Sequence, residues 1–285
     1  MSGTTLRALW LSARAQLAAL PKDEAERDAR LLIQAAFRLT SAGFTADLGR
    51  IVPEGDPCKD HLDWMLSKRA QRMPVSHILR EAVFWGRTFE VTSATLAPRG
   101  DTESLLAEAL SVPFDTMLDL GTGTGCLGIS LLAERKAAQG VATDISVEAL
   151  AVAGRNAVRH GVEARLSCIQ SDWLAQVTGT FDLIVSNPPY ITEAAFATLA
   201  PEVREYEPKT ALTPGGDGLE PYRILCAQTP AYLVPGGWLM LEIGYDQGPA
   251  VAALMEGAGL QRVTVVADLS GHDRVVRGQR APLAL

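Results

Sequence analysis

At 285 residues, with 47% hydrophobic and 21% charged side chains, the chain has the composition of a folded protein with a sizeable core. That excludes extended disorder and fits one large α/β domain or, as expected here, two unequal ones. A net charge of −7 at pH 7 argues against tight nonspecific nucleic-acid binding, which draws its free energy mostly from neutralised phosphates.

Near the N-terminus, Arg7 and Arg14 interrupt the apolar residues before a signal-peptide core could form, and no run reaches the roughly 20 apolar residues that span a bilayer. Cys58, Cys126, Cys168 and Cys226 form no C-x-x-C pair and have no neighbouring histidine, so no metal site or disulfide framework is expected. A cytoplasmic protein with reduced thiols is predicted.

Leu6, Leu9, Trp10, Ala13, Leu17 and Leu20 share one helical face that Pro21 ends. A second helix opens with Asp23 and Glu24 at its positive end and buries Ala29, Leu32, Ile33, Ala36 and Phe37. A third is predicted over Asp60–Arg72, closed by Pro74. Residues 1–75 therefore read as a small helical bundle. Residues 76–95 read as a linking β-hairpin, with Val83–Trp85 and Thr88–Val91 flanking Gly86-Arg87.

Residues 96–285 alternate apolar strands with helices, the pattern of a doubly wound α/β domain. Strands are predicted at Thr116–Leu120, Gly140–Thr143, Arg165–Gln170, Phe181–Ser186, Trp238–Ile243, Gln261–Ala267 and Arg274–Arg277. Helices are predicted around Cys126–Arg135, Val147–His160 and Tyr222–Leu233. Only six residues separate the last two strands, too few for a crossover helix, so that pair must be antiparallel. The expected fold is a mostly parallel seven-stranded sheet with an antiparallel terminal hairpin, an order that resembles the Rossmann-like methyltransferases.

The first strand runs into Gly121-Thr122-Gly123-Thr124-Gly125 and then a helix, a loop whose backbone a ligand can approach closely. Gly123, Gly125 and Gly128 also satisfy G-x-G-x-x-G, so the loop alone does not separate S-adenosylmethionine from NAD. Asp144, ending the next strand, can accept hydrogen bonds from ribose hydroxyls of either cofactor. Asp172-Trp173 suits an adenine ring, although a lone Trp173 would read as an ordinary core aromatic. Asp119 could bind a cofactor ammonium group or could cap backbone amides, and its local sequence does not decide.

The strongest signal is Asn187-Pro188-Pro189-Tyr190 at the carboxyl end of an apolar strand, the sheet edge where ligands bind. Two prolines fix φ and supply carbonyls without N–H groups. An amide or exocyclic amine nitrogen has a conjugated lone pair and is a poor nucleophile. The Asn187 oxygen and the Pro188 carbonyl can each accept one of its N–H groups and favour positive charge on nitrogen, while Tyr190 lies against the planar group. His61, His77, His160 and His272 have no plausible partner nearby in sequence, and Glu242, which ends a strand near the same edge and could face the site, reads rather as a structural carboxylate.

At these residues the chain resembles the protein-(glutamine-N5) methyltransferases that modify peptide-chain release factors. Pro98-Arg99-Gly100-Asp101-Thr102-Glu103 is similar to that family's Pro-Arg-Pro-Glu/Asp-Thr-Glu segment, and Asp119 to Gly125 to its glycine loop. Tyr206-Glu207-Pro208, Gly215 to Leu219, Leu241-Glu242-Ile243-Gly244 and Gly271-His272-Asp273-Arg274 also fit. The resemblance implies a helical N-terminal domain, S-adenosylmethionine as cofactor and class I release factors as protein substrate. It places the glutamine of their Gly-Gly-Gln tripeptide against Asn187 to Tyr190, with Arg99 to Glu103 ordering the wall. From the residues alone, that segment reads as a loop entering a helix capped by Asp101 or Thr102. Gly100 replaces the family's proline, and Arg80 stands where the family more often has glycine.

Transfer to an exocyclic amine of a nucleic-acid base is the alternative, set back by the acidic charge; no direct nucleic-acid or membrane partner is expected. An NAD-dependent oxidoreductase leaves Asn187 to Tyr190 unexplained. A silent scaffold should show a disrupted turn, and this one is intact.

Overall fold

The computed structural model describes residues 3–283, which form two compact units. One comprises the described residues up to Arg80 together with Pro201–Tyr206; the other comprises Glu81–Ala200 and the described residues from Glu207 onward.

The first unit is built from helices Leu6–Gln16, Lys22–Ala36, Ser41–Ala46, Pro57–Ala70 and Val75–Leu79. Side chains of Thr5, Thr40 and Asp56 cap three of these by accepting hydrogen bonds from orphan amides at Ala8, Gly43 and Cys58. The predicted stripes are buried: Leu6, Leu9, Ala13, Leu17 and Leu20 pack with Ala29, Leu32, Ile33, Leu62, Met65 and Leu66. Arg69 lies on that same buried face and is only 2% exposed. It donates to Asp28 Oδ2 at 2.7 Å, to Glu202 Oε1 at 3.3 Å and to Glu24. Glu202 also accepts from Arg72 Nη2 at 2.8 Å, and Tyr206 Oη donates to the Gln71 carbonyl at 2.7 Å. These contacts make helix Pro201–Tyr206 part of this unit. A two-stranded pair, Gly3–Thr5 with Ile51–Pro53, was not legible in runs of three residues.

The second unit holds a seven-stranded sheet whose strands, in chain order, are β1 Thr116–Leu120, β2 Gln139–Asp144, β3 Leu166–Gln170, β4 Phe181–Ser186, β5 Leu233–Glu242, β6 Gln261–Ala267 and β7 Asp273–Gln279. Their spatial order is β3-β2-β1-β4-β5-β7-β6. The first five pair in parallel, and β7 runs antiparallel to both β5 and β6. Alternation sends Met117 and Leu183 to one face and Leu118 and Ile184 to the other, each covered by helices. The hairpin Glu81–Phe84 with Arg87–Glu90 belongs to this unit. Among the described residues, no helix is long and apolar enough to cross a membrane.

Several elements depart from the sequence expectation, among them the following three. Strand β5 begins five residues earlier than predicted, at Leu233, and its pairing with β4 shifts register across Pro235-Gly236-Gly237, where Gly236 has φ of 85°. The predicted helix Tyr222–Leu233 is an α-helix over Glu220–Gln228 followed by a 3-10 turn over Thr229–Tyr232. Helix Gly248–Gly257, unforeseen, lies between β5 and β6.

Candidate active site

Because β1 and β4 are neighbours while the chain winds outward from β1 in one direction and from β4 in the other, their carboxyl ends form the topological switch point where such sheets bind ligands. The glycine loop follows β1 and the Asn-Pro-Pro-Tyr turn follows β4. Ser186 Oγ donates to the Leu120 carbonyl at 2.6 Å and ties the two strand ends together. A cavity of about 420 Å³ opens there, within the range of roughly 300–1,000 Å³ usual for small-molecule sites.

The cavity is lined by Asp119, Gly121, Thr122, Gly123, Thr124, Asp144, Asp172, Trp173, Asn187, Pro189 and Arg99. Gly125, Pro188 and Tyr190 stand outside that lining. Gly121 and Gly123 have φ of 70° and 55°, so the loop turns its backbone to the cavity in a conformation that glycine adopts freely. Asp144 braces it: Oδ2 accepts from Gly123 N at 2.9 Å and Oδ1 from Ser146 N at 3.0 Å. Asp119 Oδ2 accepts from Thr122 Oγ1 at 2.6 Å and Gly128 N at 3.1 Å. The capping and ligand-facing readings of Asp119 therefore coexist. Burial pushes its carboxyl up to about 6. The Trp173 ring lies near Gly121, where an added Cβ would meet Cζ3 at 3.6 Å.

Four charged side chains line the cavity, three of them carboxylates, and the fourth, Arg99, donates to Glu207 Oε2 at 2.7 Å. This charge suits a ligand bearing ammonium and sulfonium groups, and it opposes the pyrophosphate of NAD. The residues that the sequence reading assigned to the ammonium group (Asp119), the ribose hydroxyls (Asp144) and the adenine (Asp172 and Trp173) all line this cavity, whose charge and size fit S-adenosylmethionine.

Each side chain of Arg99 to Glu103, Gly100 aside, has its own anchor. Arg99 meets Glu207, Asp101 meets Arg274 at 3.1 Å, Thr102 Oγ1 accepts from Asn187 Nδ2 at 3.1 Å, and Glu103 accepts from Trp85 N at 2.7 Å. Helix Thr102–Leu110 has no side-chain cap, so the capping expected of Asp101 or Thr102 is replaced by these longer contacts. Buried Glu207 has its carboxyl raised by desolvation despite Arg99. Gln247 Nε2 donates to the Tyr190 carbonyl at 3.1 Å.

One residue escaped the sequence reading, and another was read there as a structural carboxylate. Asn156, fully buried, donates to the carbonyls of Thr124 and Glu90 at 2.9 and 3.1 Å and accepts from Glu90 N, joining the hairpin to the glycine loop. Its signal was an amide on the apolar stripe Ala149, Val152, Ala153. Glu242, 1% exposed, has its carboxyl pushed up to about 7 by burial, and its Oε2 has no hydrogen-bond partner among the described residues.

Comparison with known proteins bears on the whole chain. The methyltransferase small domain matches residues 99–218 and the PrmC N-terminal domain residues 8–79. The release factor glutamine methyltransferase of Cereibacter sphaeroides is 52% identical over 269 residues, covering 94% of this chain and 96% of its own length. That of Caulobacter vibrioides is 41% identical over 284 residues, covering 98% of each. A methyltransferase structure from Pyrococcus furiosus, at 18% identity, shares the fold with a TM-score of 0.53 over 70% of this chain and 91% of that one. With both of its domains matched and such identity over nearly its full length, the chain belongs to the release factor glutamine methyltransferase family.

Proposed function

We propose that this enzyme methylates the side-chain amide nitrogen (N5) of the glutamine in the Gly-Gly-Gln motif of class I release factors, in the cytoplasm, and that Asn187 to Tyr190 hold that amide. S-adenosylmethionine, its cofactor, supplies a methyl group on a positively charged sulfonium. The observation that carries the reading is the meeting of Asn187 and Pro189 with the glycine loop and three carboxylates in one cavity.

The chain's own residues meet the two demands of the reaction. The amide nitrogen needs acceptors that favour positive charge on it, which the Asn187 oxygen and the Pro188 carbonyl supply. It also needs fixed orientation, whose contribution can reach roughly 7–11 kcal/mol. The Asn187 amide nitrogen is already engaged by Thr102, so its oxygen remains as the acceptor. Tyr190 covers the planar group, and Arg99, held by Glu207, walls the cavity. As the N–CH3 bond forms and the methyl's bond to sulfur breaks, its electron pair staying on sulfur, the nitrogen releases a proton to water, and no general base is required.

Mass spectrometry of a class I release factor incubated with the purified protein and S-adenosylmethionine tests this. A single methyl on the Gly-Gly-Gln glutamine is expected. Its absence with cofactor bound would overturn the substrate assignment and point to nucleic-acid amines. Asn187→Ala should abolish transfer while keeping cofactor affinity, and Asp144→Ala should mainly weaken cofactor binding. Equal loss of binding in both would contradict that division.

A further inference from the structure

Two segments singled out in the sequence, Gly215 to Leu219 and Leu241-Glu242-Ile243-Gly244, contribute nothing to the cavity lining. Both approach one side chain, that of Gln247. A Cβ added to Gly244 would stand 3.0 Å from Gln247 Oε1. One added to Gly218 would stand 3.1 Å from Gln247 Nε2 and would collide with the Tyr190 carbonyl oxygen. The main chain at Gly218 therefore packs directly on that carbonyl. Gln247 is only 8% exposed. Its Nε2 donates to the Tyr190 carbonyl at 3.1 Å, and its Oε1 accepts from Gly244 N at 2.9 Å. A carboxamide can be turned end for end with little change of shape, but here both partners are main-chain groups of fixed polarity, one a carbonyl and the other an N–H. Only one orientation satisfies both, and a buried polar side chain satisfied in this way is rigid.

We propose that Gln247 is a positioning residue for methyl transfer, holding the exit of the turn from Asn187 to Tyr190 through the Tyr190 carbonyl. The inference rests on the reading of that turn as the seat of the substrate amide. The entrance of the turn is held separately, by the pairing of Ser186 with the neighbouring strands and by the Ser186 hydroxyl on the Leu120 carbonyl. Between the two ends, Pro188 and Pro189 carry no N–H and cannot tie the turn down by donating.

Beyond the turn, Ile191 N donates to the Leu212 carbonyl at 3.0 Å and Glu193 N to the Gly216 carbonyl at 3.2 Å. These bonds fix the departing chain, whereas Gln247 grips the peptide that joins the turn to it. Freeing the Tyr190 carbonyl lets the turn shift, and with it the acceptors on Asn187 and Pro188. A displacement of about 1 Å at such a point lowers a rate by about 100-fold. Gln247 itself does not line the cavity, so it is placed to act through the Tyr190 carbonyl and not by contact with the substrate. The competing account is purely structural: Gln247 precedes helix Gly248–Gly257, and its bond from Gly244 N shapes the entry to that helix. The two bonds of one side chain thus stand for two different roles, and a substitution that keeps one of them separates the roles.

The test compares Gln247→Met, Gln247→Glu and Asn187→Ala in the full-length enzyme. For each, kcat and KM with release factor and the Kd for S-adenosylmethionine are measured from about pH 6 to about pH 9. Gln247→Met loses both bonds and should lower kcat about 10–100-fold, with cofactor Kd little changed. Gln247→Glu keeps an oxygen for Gly244 N in either protonation state but offers the Tyr190 carbonyl a hydrogen only when protonated. Burial and the nearby carboxylates Asp246 and Asp273 hold that proton to higher pH, against Arg274, which donates to the Ile243 carbonyl at 3.3 Å. Its kcat relative to wild type should therefore rise about 10-fold as pH falls across the range. A purely structural Gln247 predicts a flat ratio. A flat ratio, or wild-type kcat in Gln247→Met, beside an inactive Asn187→Ala, would overturn the proposal and leave the reading of Asn187 standing. An active Asn187→Ala would instead remove that reading, and the proposal with it. Should Gln247→Glu fail to fold, Gly218→Ala takes its place, since its Cβ presses on the Tyr190 carbonyl and leaves the Gly244 bond alone; an unchanged kcat there overturns the proposal.

Discussion

Burial pushes the Asp119 carboxyl up to about 6 from an ordinary 3.8, against hydrogen bonds from Thr122 and Gly128 that favour its ionised form. The folded state therefore holds this proton more tightly than the unfolded chain. The contribution to stability is full below pH 3.8 and is lost as pH rises through about 6, where ionising the buried acid costs on the order of 3 kcal/mol. Asp119→Asn keeps an acceptor for Thr122 and Gly128 but never ionises. Urea titrations without cofactor should show the variant gaining on wild type between about pH 4 and about pH 8, by up to about 3 kcal/mol; a constant difference would rule this out. With a cofactor ammonium group beside Asp119, wild-type cofactor affinity should rise over the same pH range. Much at this scale was legible, because Asp119, Asp144, Trp173 and Asn187 all sit at strand ends. The pairing of Thr102 with Asn187 was not, since residues 102 and 187 come together only through folding. Arg80 explains itself in the structure: its φ is 56°, the left-handed region that suits the glycine more usual there.

Gly125 shows what the glycine loop requires of the helices around it. Its φ is 80°, and an added Cβ would stand 2.7 Å from Ile129 Cδ1 and 3.2 Å from Ala153 Cβ, so helices Cys126–Glu134 and Val147–Arg159 close on that point. Gly125→Ala would combine left-handed strain of about 1–2 kcal/mol with overpacking of about 1–3 kcal/mol. An overall destabilisation of about 2–5 kcal/mol is expected in urea titrations, with weaker cofactor binding as the loop shifts. Gly154 is the internal control. It lies within helix Val147–Arg159 with nothing within 4 Å of an added Cβ, so Gly154→Ala should stabilise by about 0.5–1 kcal/mol. If both variants behaved alike, close helix approach would not be the role of Gly125. Elements with strong patterns, such as β1, β4 and helix Val147–Arg159, were legible from apolar runs and periodicity. Helix Gly248–Gly257 was not, because Gly248-Pro249 at one end and Gly257 at the other are residues that punctuate local structure.

For the whole molecule, the strand order that makes β1 and β4 neighbours lay beyond any local signal, as did the return of Pro201–Tyr206 to the helical unit. That return changes how the role of the helical unit is to be tested. We propose that this unit docks the release factor, since a single tripeptide offers too little surface to select one protein. Cutting the chain after residue 80 would leave helix Pro201–Tyr206 without Arg69 and Arg72, and the adjoining Pro208, Thr210, Ala211, Thr213 and Pro214 line the cavity. A truncation would therefore disturb the cavity wall as well as docking. Arg69→Met is a cleaner perturbation. It leaves Asp28, itself 2% exposed, without its buried partner, a loss that typically costs about 3–5 kcal/mol. Hydrogen exchange should quicken across residues 3–80 and 201–206, with cofactor affinity retained and transfer to the intact release factor reduced. Undiminished transfer from an enzyme whose helical unit exchanges freely would mean that the factor is selected elsewhere. Reduced transfer with a raised KM for the factor and an unchanged Kd for the cofactor would place selection in the helical unit.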